Sequence, residues 1–70
     1  MQWINQTGAE YSVYTTRVGD RTYEIRKKKG FGLWRLFIRE TPDVTQRTIF
    51  TGDTLKSCKA YTAKYERAYE

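Results

Sequence analysis

Eight basic side chains, Arg17, Arg21, Arg26, Lys27, Lys28, Lys29, Arg35 and Arg39, fall within residues 17–39 against only Asp20 and Glu24. That segment is +6 in a chain whose net charge is +5, so the remaining residues are nearly neutral. Clustered guanidinium and ammonium groups are the electrostatic footprint of a phosphate-binding surface. The competing explanation is solubility, because exposed strands also carry Lys and Arg to discourage edge-to-edge association.

Catalytic chemistry is poorly served. The chain has no His, the commonest general base, and its eight carboxylates are scattered. "KGFG" (29–32) lies between two strand-like runs, whereas a phosphate loop joins a strand to a helix. The single cysteine, Cys58, excludes an internal disulfide and, without His, leaves no credible zinc site. Its place in an apolar helical stripe marks it as a small buried residue rather than a nucleophile. A non-catalytic protein without cofactor, metal or small-molecule substrate is expected.

The elements that position the cations follow from alternation. "EYSVYTTRV" (10–18) is rich in β-branched and aromatic residues, with Tyr11, Val13 and Thr15 on one face and Ser12, Tyr14 and Thr16 on the other. Gly19-Asp20 is a turn dipeptide. In "RTYEIRKKK" (21–29), Tyr23 and Ile25 share one face, and Thr22, Glu24, Arg26 and Lys28 the other. Gly30 and Gly32 bring the chain round. In "LWRLFIRE" (33–40), Trp34, Leu36 and Ile38 oppose Leu33, Arg35, Phe37 and Arg39. Thr41-Pro42-Asp43 sets a loop, and "RTIFT" (47–51) is a fourth short strand. Residues 1–9 form an arm that docks Trp3 or Ile4 on the body.

A helix is expected over 54–69, capped by Asp53 or Thr54. Its apolar stripe is Leu55, Cys58, Tyr61/Thr62, Tyr65 and Ala68/Tyr69, with Lys56, Lys59, Lys64 and Glu66 elsewhere. The architecture is therefore α+β: a single domain (1–70) with a three- to four-stranded antiparallel sheet over 10–51 and one C-terminal helix on one face. Seventy residues bury little core, and an aromatic share of 16% supplies large rings to fill it. No run approaches the roughly 18 apolar residues of a membrane span. The N-terminus lacks the basic and apolar regions of a signal peptide, and a cytoplasmic location is expected.

The helix can cover only the face bearing Tyr23, Ile25, Trp34, Leu36 and Ile38. The other face then displays Arg26, Lys28, Arg35, Phe37 and Arg39 on adjacent strands. Such a face is expected to contact duplex DNA, as β-sheet readers do in the major groove. It could instead stack single-stranded bases on Phe37, and on Tyr14 if that residue shares the face. Phe37 has an equal structural explanation, a minor cluster with Leu33 or a contact with the arm. The alternative partner is an acidic protein, because Arg and aromatics also dominate protein hot spots.

The run "RTYEIRKKKGFGLWRLFIRETPDVTQRTIFTGDTLKSCKAYTAKY" (21–65) resembles the arm-type DNA-binding domain at the N-terminus of tyrosine recombinases, and more distantly the plant ethylene-response-factor domain. The shared pattern is a strand with an aromatic, a turn, a strand of the form "LWRLFIR", a polar loop, a third strand and a Thr-capped helix. Gly52 stands where that family carries a bulky aromatic, with Phe50 nearby to substitute. The resemblance implies a three-stranded sheet in the major groove with the helix behind it. It points to Arg26, Lys28, Arg35, Phe37, Arg39 and Arg47 as contacts. It also implies a small accessory protein of a phage or other mobile element.

Overall fold

The alternating stretch between Tyr11 and Gly52 folds as an antiparallel meander in a computed structural model, which describes residues 1–41 and 45–68. The strands are β1 (Ile4–Asn5), β2 (Tyr11–Val18), β3 (Arg21–Lys28), β4 (Trp34–Glu40) and β5 (Arg47–Gly52), followed by helix α1 (Leu55–Arg67). Spatial order equals chain order, β1-β2-β3-β4-β5. Each strand is then followed in space by its neighbour in sequence, the arrangement that costs least chain entropy. At the β3–β4 turn Gly30 and Gly32 take φ of 80° and 68°, a region that residues with a Cβ rarely occupy.

The sheet has five strands where three to four were expected. The extra one is drawn from the N-terminal arm: Ile4 pairs with Thr15 and Asn5 with Tyr14. Gln6 N–H donates to Val13 C=O at 2.8 Å, and Thr16 Oγ1 donates to Gln2 C=O at 2.6 Å. Two paired residues carry too short an alternation to be read as a strand. Trp3, not Ile4, packs against the core; Ile4 is 60% exposed.

Register sorts the side chains into two faces, because residues directly opposite in a ladder share a side. Tyr14, Ile25, Leu36 and Phe50 form one row under the helix, and Thr16, Tyr23, Ile38 and Arg47 the next. Tyr23, Ile25, Leu36, Ile38 and Cys58 are the buried core. Trp34 lies on this side but is only half-buried, its ring 6.2 Å from that of Tyr14. Ile49 is skipped in the β4–β5 register, where Leu36 pairs with Phe50 and Phe37 with Thr48. This bulge lets Ile49 and Phe50 both pack against the core.

Helix α1 begins at Thr54, whose Oγ1 accepts from Ser57 N–H at 3.0 Å. Cys58 and Thr62 are its buried positions, Leu55, Tyr61 and Tyr65 flank them, and Ala68 is exposed. Phe50 stacks on Tyr61 with ring centroids 4.4 Å apart, filling the space beside Gly52. At the other end of the helix, Arg21 Nε and Nη2 donate to the two Glu66 carboxylate oxygens at 2.6 Å each, and Tyr23 O–H donates to Glu66 as well. Glu66, expected on the polar side of the helix, thus ties the helix to β3. The Arg21 guanidinium holds the Glu66 carboxyl below the usual carboxylate range, and burial with the Glu66 bond pushes the Tyr23 phenol up. The expected Thr41-Pro42-Asp43 turn falls partly, and Tyr69 wholly, outside the described residues.

Candidate nucleic-acid interface

The face away from the helix is laid out in rows by the same register. Arg17, Thr22 and Arg39 form one row, and Thr15, Glu24, Phe37 and Thr48 the next. Val13, Arg26, Arg35 and Thr51 form the third, and Tyr11 stands opposite Lys28 at the β3–β4 end. The expected set of Arg26, Lys28, Arg35, Phe37 and Arg39 is thus brought together on one open surface, with Arg17 added. Glu24 is the carboxylate among these rows, 3.5 Å from Arg26.

Arg26 and Arg35 stand directly opposite each other. Like charges in this position weaken a sheet. The Arg26 guanidinium is held from its two diagonal neighbours, 4.9 Å from the Phe37 ring centroid and 5.8 Å from that of Tyr11. These cation–π contacts hold the guanidinium in place, and the Glu24 ion pair offsets only part of the charge on this row. Arg35 and Arg39 are exposed and make no ion pair among the described residues.

Arg47, an expected contact, and Tyr14, considered for stacking if it shared the face, both lie elsewhere. Arg47 lies on the helix side, opposite Ile38, and its guanidinium reaches Glu40 at 3.3 Å and the Tyr65 hydroxyl at 3.4 Å. The bulge at Ile49 shifts the alternation between the two ends of β5, so position in the resemblance did not carry over to face. Tyr14 also lies on the helix side, opposite Ile25, with Lys59 Nζ 5.3 Å from its ring centroid. Lys27 leaves the lysine run for the same side, 6.0 Å from the Trp34 ring centroid.

Beside the hairpin end the open face dips into a groove of about 380 Å³. Tyr11, Phe31, Leu33 and Phe37 supply its apolar wall, and Arg26, Lys28 and Arg35 its charge. Phe31 is 68% exposed, Leu33 49% and Tyr11 41%. Lys28 Nζ lies 5.5 Å from the Phe31 ring centroid. Phe31 and Tyr11 were not anticipated as site residues. Phe31 was hidden in a glycine turn, and the face of Tyr11 depended on a β2 register that the sequence leaves open.

Among the described residues no group of His, Cys, Asp and Glu could hold a metal ion. Burial pushes the Cys58 thiol pKa up, which disfavours the reactive thiolate. No described helix is long and apolar enough to cross a membrane. The chain matches no family model, no curated protein and no solved structure.

Proposed function

We propose that the chain is a non-catalytic nucleic-acid-binding module that engages the phosphate backbone with the open face of its sheet. The observation that carries this reading is the direct opposition of Arg26 and Arg35 on the neighbouring interior strands β3 and β4. A pairing that costs stability in the free protein is relieved when a polyanion lies across it. Lys28, Arg39 and Arg17 extend the cationic surface in both directions along the strands, and threonines separate them with small polar side chains. The resemblance to arm-type domains points to the same face and suggests duplex DNA as one partner to test.

The experiment is anisotropy binding to labelled duplex DNA, single-stranded DNA and RNA over a salt series. If Arg26, Lys28, Arg35 and Arg39 each neutralise one phosphate, log K falls against log salt with a slope of about −3 to −4. Arg35→Glu with Arg39→Glu abolishes binding and leaves the circular-dichroism spectrum unchanged. Indifference of the wild type to all three nucleic acids refutes the reading and favours an acidic protein partner.

A further inference from the structure

We infer that the groove at the β3–β4 hairpin end is a stacking site for bases of single-stranded DNA, with Phe31 as its exposed platform. The inference rests on the nucleic-acid reading above and specifies which form the open face takes.

Charge complementarity and ring content argue for this occupant together. The lining combines three rings, Tyr11, Phe31 and Phe37, with the cations Arg26, Lys28 and Arg35. Among the described residues no carboxylate lines it. Unstacked bases present flat π-faces at the spacing of their phosphates, so one strand can satisfy rings and cations at once. Duplex bases are already stacked and paired, and leave such rings unused.

The Arg26 guanidinium prolongs the platform. Its position between Tyr11 and Phe37 limits its freedom, and a guanidinium plane stacks on bases as an aromatic ring does. Phe31 differs from the other two rings. It projects from a turn whose flanking glycines, Gly30 and Gly32, have positive φ. With 68% of its surface exposed, it contributes little to the core and has room to receive a base.

The breadth of the sheet points the same way. Strands about 4.8 Å apart make a five-stranded sheet about 19 Å wide between its outer backbones. A major groove about 12 Å wide admits a two-stranded ribbon, not the whole face lying flat. A single strand has no opposing wall and can follow the rows from Arg39 to Phe31. Recognition of RNA draws on its 2′-hydroxyl, and among the groove's described lining residues the Tyr11 hydroxyl is the one neutral polar side chain that could accept from it.

The test compares labelled thymidine strands of about twelve nucleotides with strands of equal length and charge whose central residues are abasic. A duplex and a uridine strand of the same length complete the set. The thymidine strand binds about tenfold tighter than the abasic one, and Phe31→Ala removes most of that difference without shifting the thermal midpoint. The duplex binds more weakly than the thymidine strand, and the uridine strand gains nothing over it. Equal binding of thymidine and abasic strands overturns the stacking inference while leaving phosphate binding intact. So does a wild-type preference for the duplex, and a tenfold preference for uridine overturns the assignment to DNA. Failure to bind any of the four overturns both this inference and the reading on which it rests.

Discussion

Replacing Arg35 by threonine has opposite consequences for folding and for binding. Arg35 is exposed, lies directly across from Arg26, and makes no ion pair among the described residues. Threonine keeps β propensity and matches Thr51, the next residue in the same row. Cross-strand pairs are worth roughly 0.2–1 kcal/mol, and like charges take the unfavourable sign. Relief of about 0.5 kcal/mol in a domain of this size raises the melting midpoint by about 2–4 °C. Screening shortens the range of the repulsion, so the gain shrinks between 0.05 and 0.5 M salt, the Debye length falling to about 4 Å at the higher concentration. Binding moves the other way: losing one phosphate contact lowers the magnitude of the salt slope by about 0.7 for a single strand. Circular-dichroism melts at two salt concentrations read the first effect, and an anisotropy salt series reads the second. A lowered melting midpoint would mean that Arg35 supports the sheet through packing, and an unchanged salt slope that it touches no phosphate. Either result defeats the argument that this pairing exists for a ligand.

Two further predictions concern the helix side. A Cβ at Gly52 would lie 2.8 Å from Phe50 Cε2 and 3.3 Å from Ser57 Cβ, so Gly52→Ala forces the stacked Phe50 ring off Tyr61. The cost is about 1–3 kcal/mol in a urea melt, and an unchanged midpoint would show that the ring has room to turn aside. The second concerns pH. The folded Glu66 carboxyl is lowered, chiefly by Arg21, so the unfolded chain binds its proton first as pH falls. The stability Glu66 contributes is therefore full above its ordinary value of about 4.3 and is lost on acidification through the window below it. The Tyr23 phenol is raised, so its contribution is full below the ordinary phenol value of about 10 and declines above it. Glu66→Gln flattens the acid limb of stability against pH, and Tyr23→Phe flattens the alkaline limb. A Glu66→Gln profile parallel to wild type would assign the acid limb to other carboxylates.

What could be read from the sequence is what a period of two encodes. Strands β3 and β4 alternate cleanly, so the core residues Tyr23, Ile25, Leu36 and Ile38 and the cations opposite them were assignable to faces before any coordinates. Strand β1 was not, because its pairing is made by backbone groups and the Thr16–Gln2 bond rather than by a side-chain pattern. Arg47 was placed by the resemblance alone, and it lies on the helix side of a strand whose alternation is interrupted by a bulge that nothing local to "RTIFT" announces. Glu66 looked like a surface residue because its partners, Arg21 and Tyr23, lie more than forty positions away in the chain. The groove was half legible. Leu33 and Phe37 followed from the alternation of residues 33–40, but Phe31 and Tyr11 join them only through turn geometry and the β2–β3 register.

The distribution of charge across the sheet separates a binding surface from a device for solubility. A protein protecting itself from edge-to-edge association places its lysines, prolines and inward charges on the outermost strands. Here the outer strand β5 presents Thr48 and Thr51 to the open face, and the other outer strand, β1, is Ile4–Asn5. The open-face cations Arg26 and Arg35 stand on β3 and β4 at positions paired on both sides, and Lys28 and Arg39 at positions paired on one side. Charge at Arg26 and Arg35 protects no unpaired backbone. It also stands against exposed rings, which a surface tuned only for solubility would avoid. Cations on interior strands, two of them face to face and set among exposed aromatics, have a physical rationale when an anion with flat apolar faces lies over them.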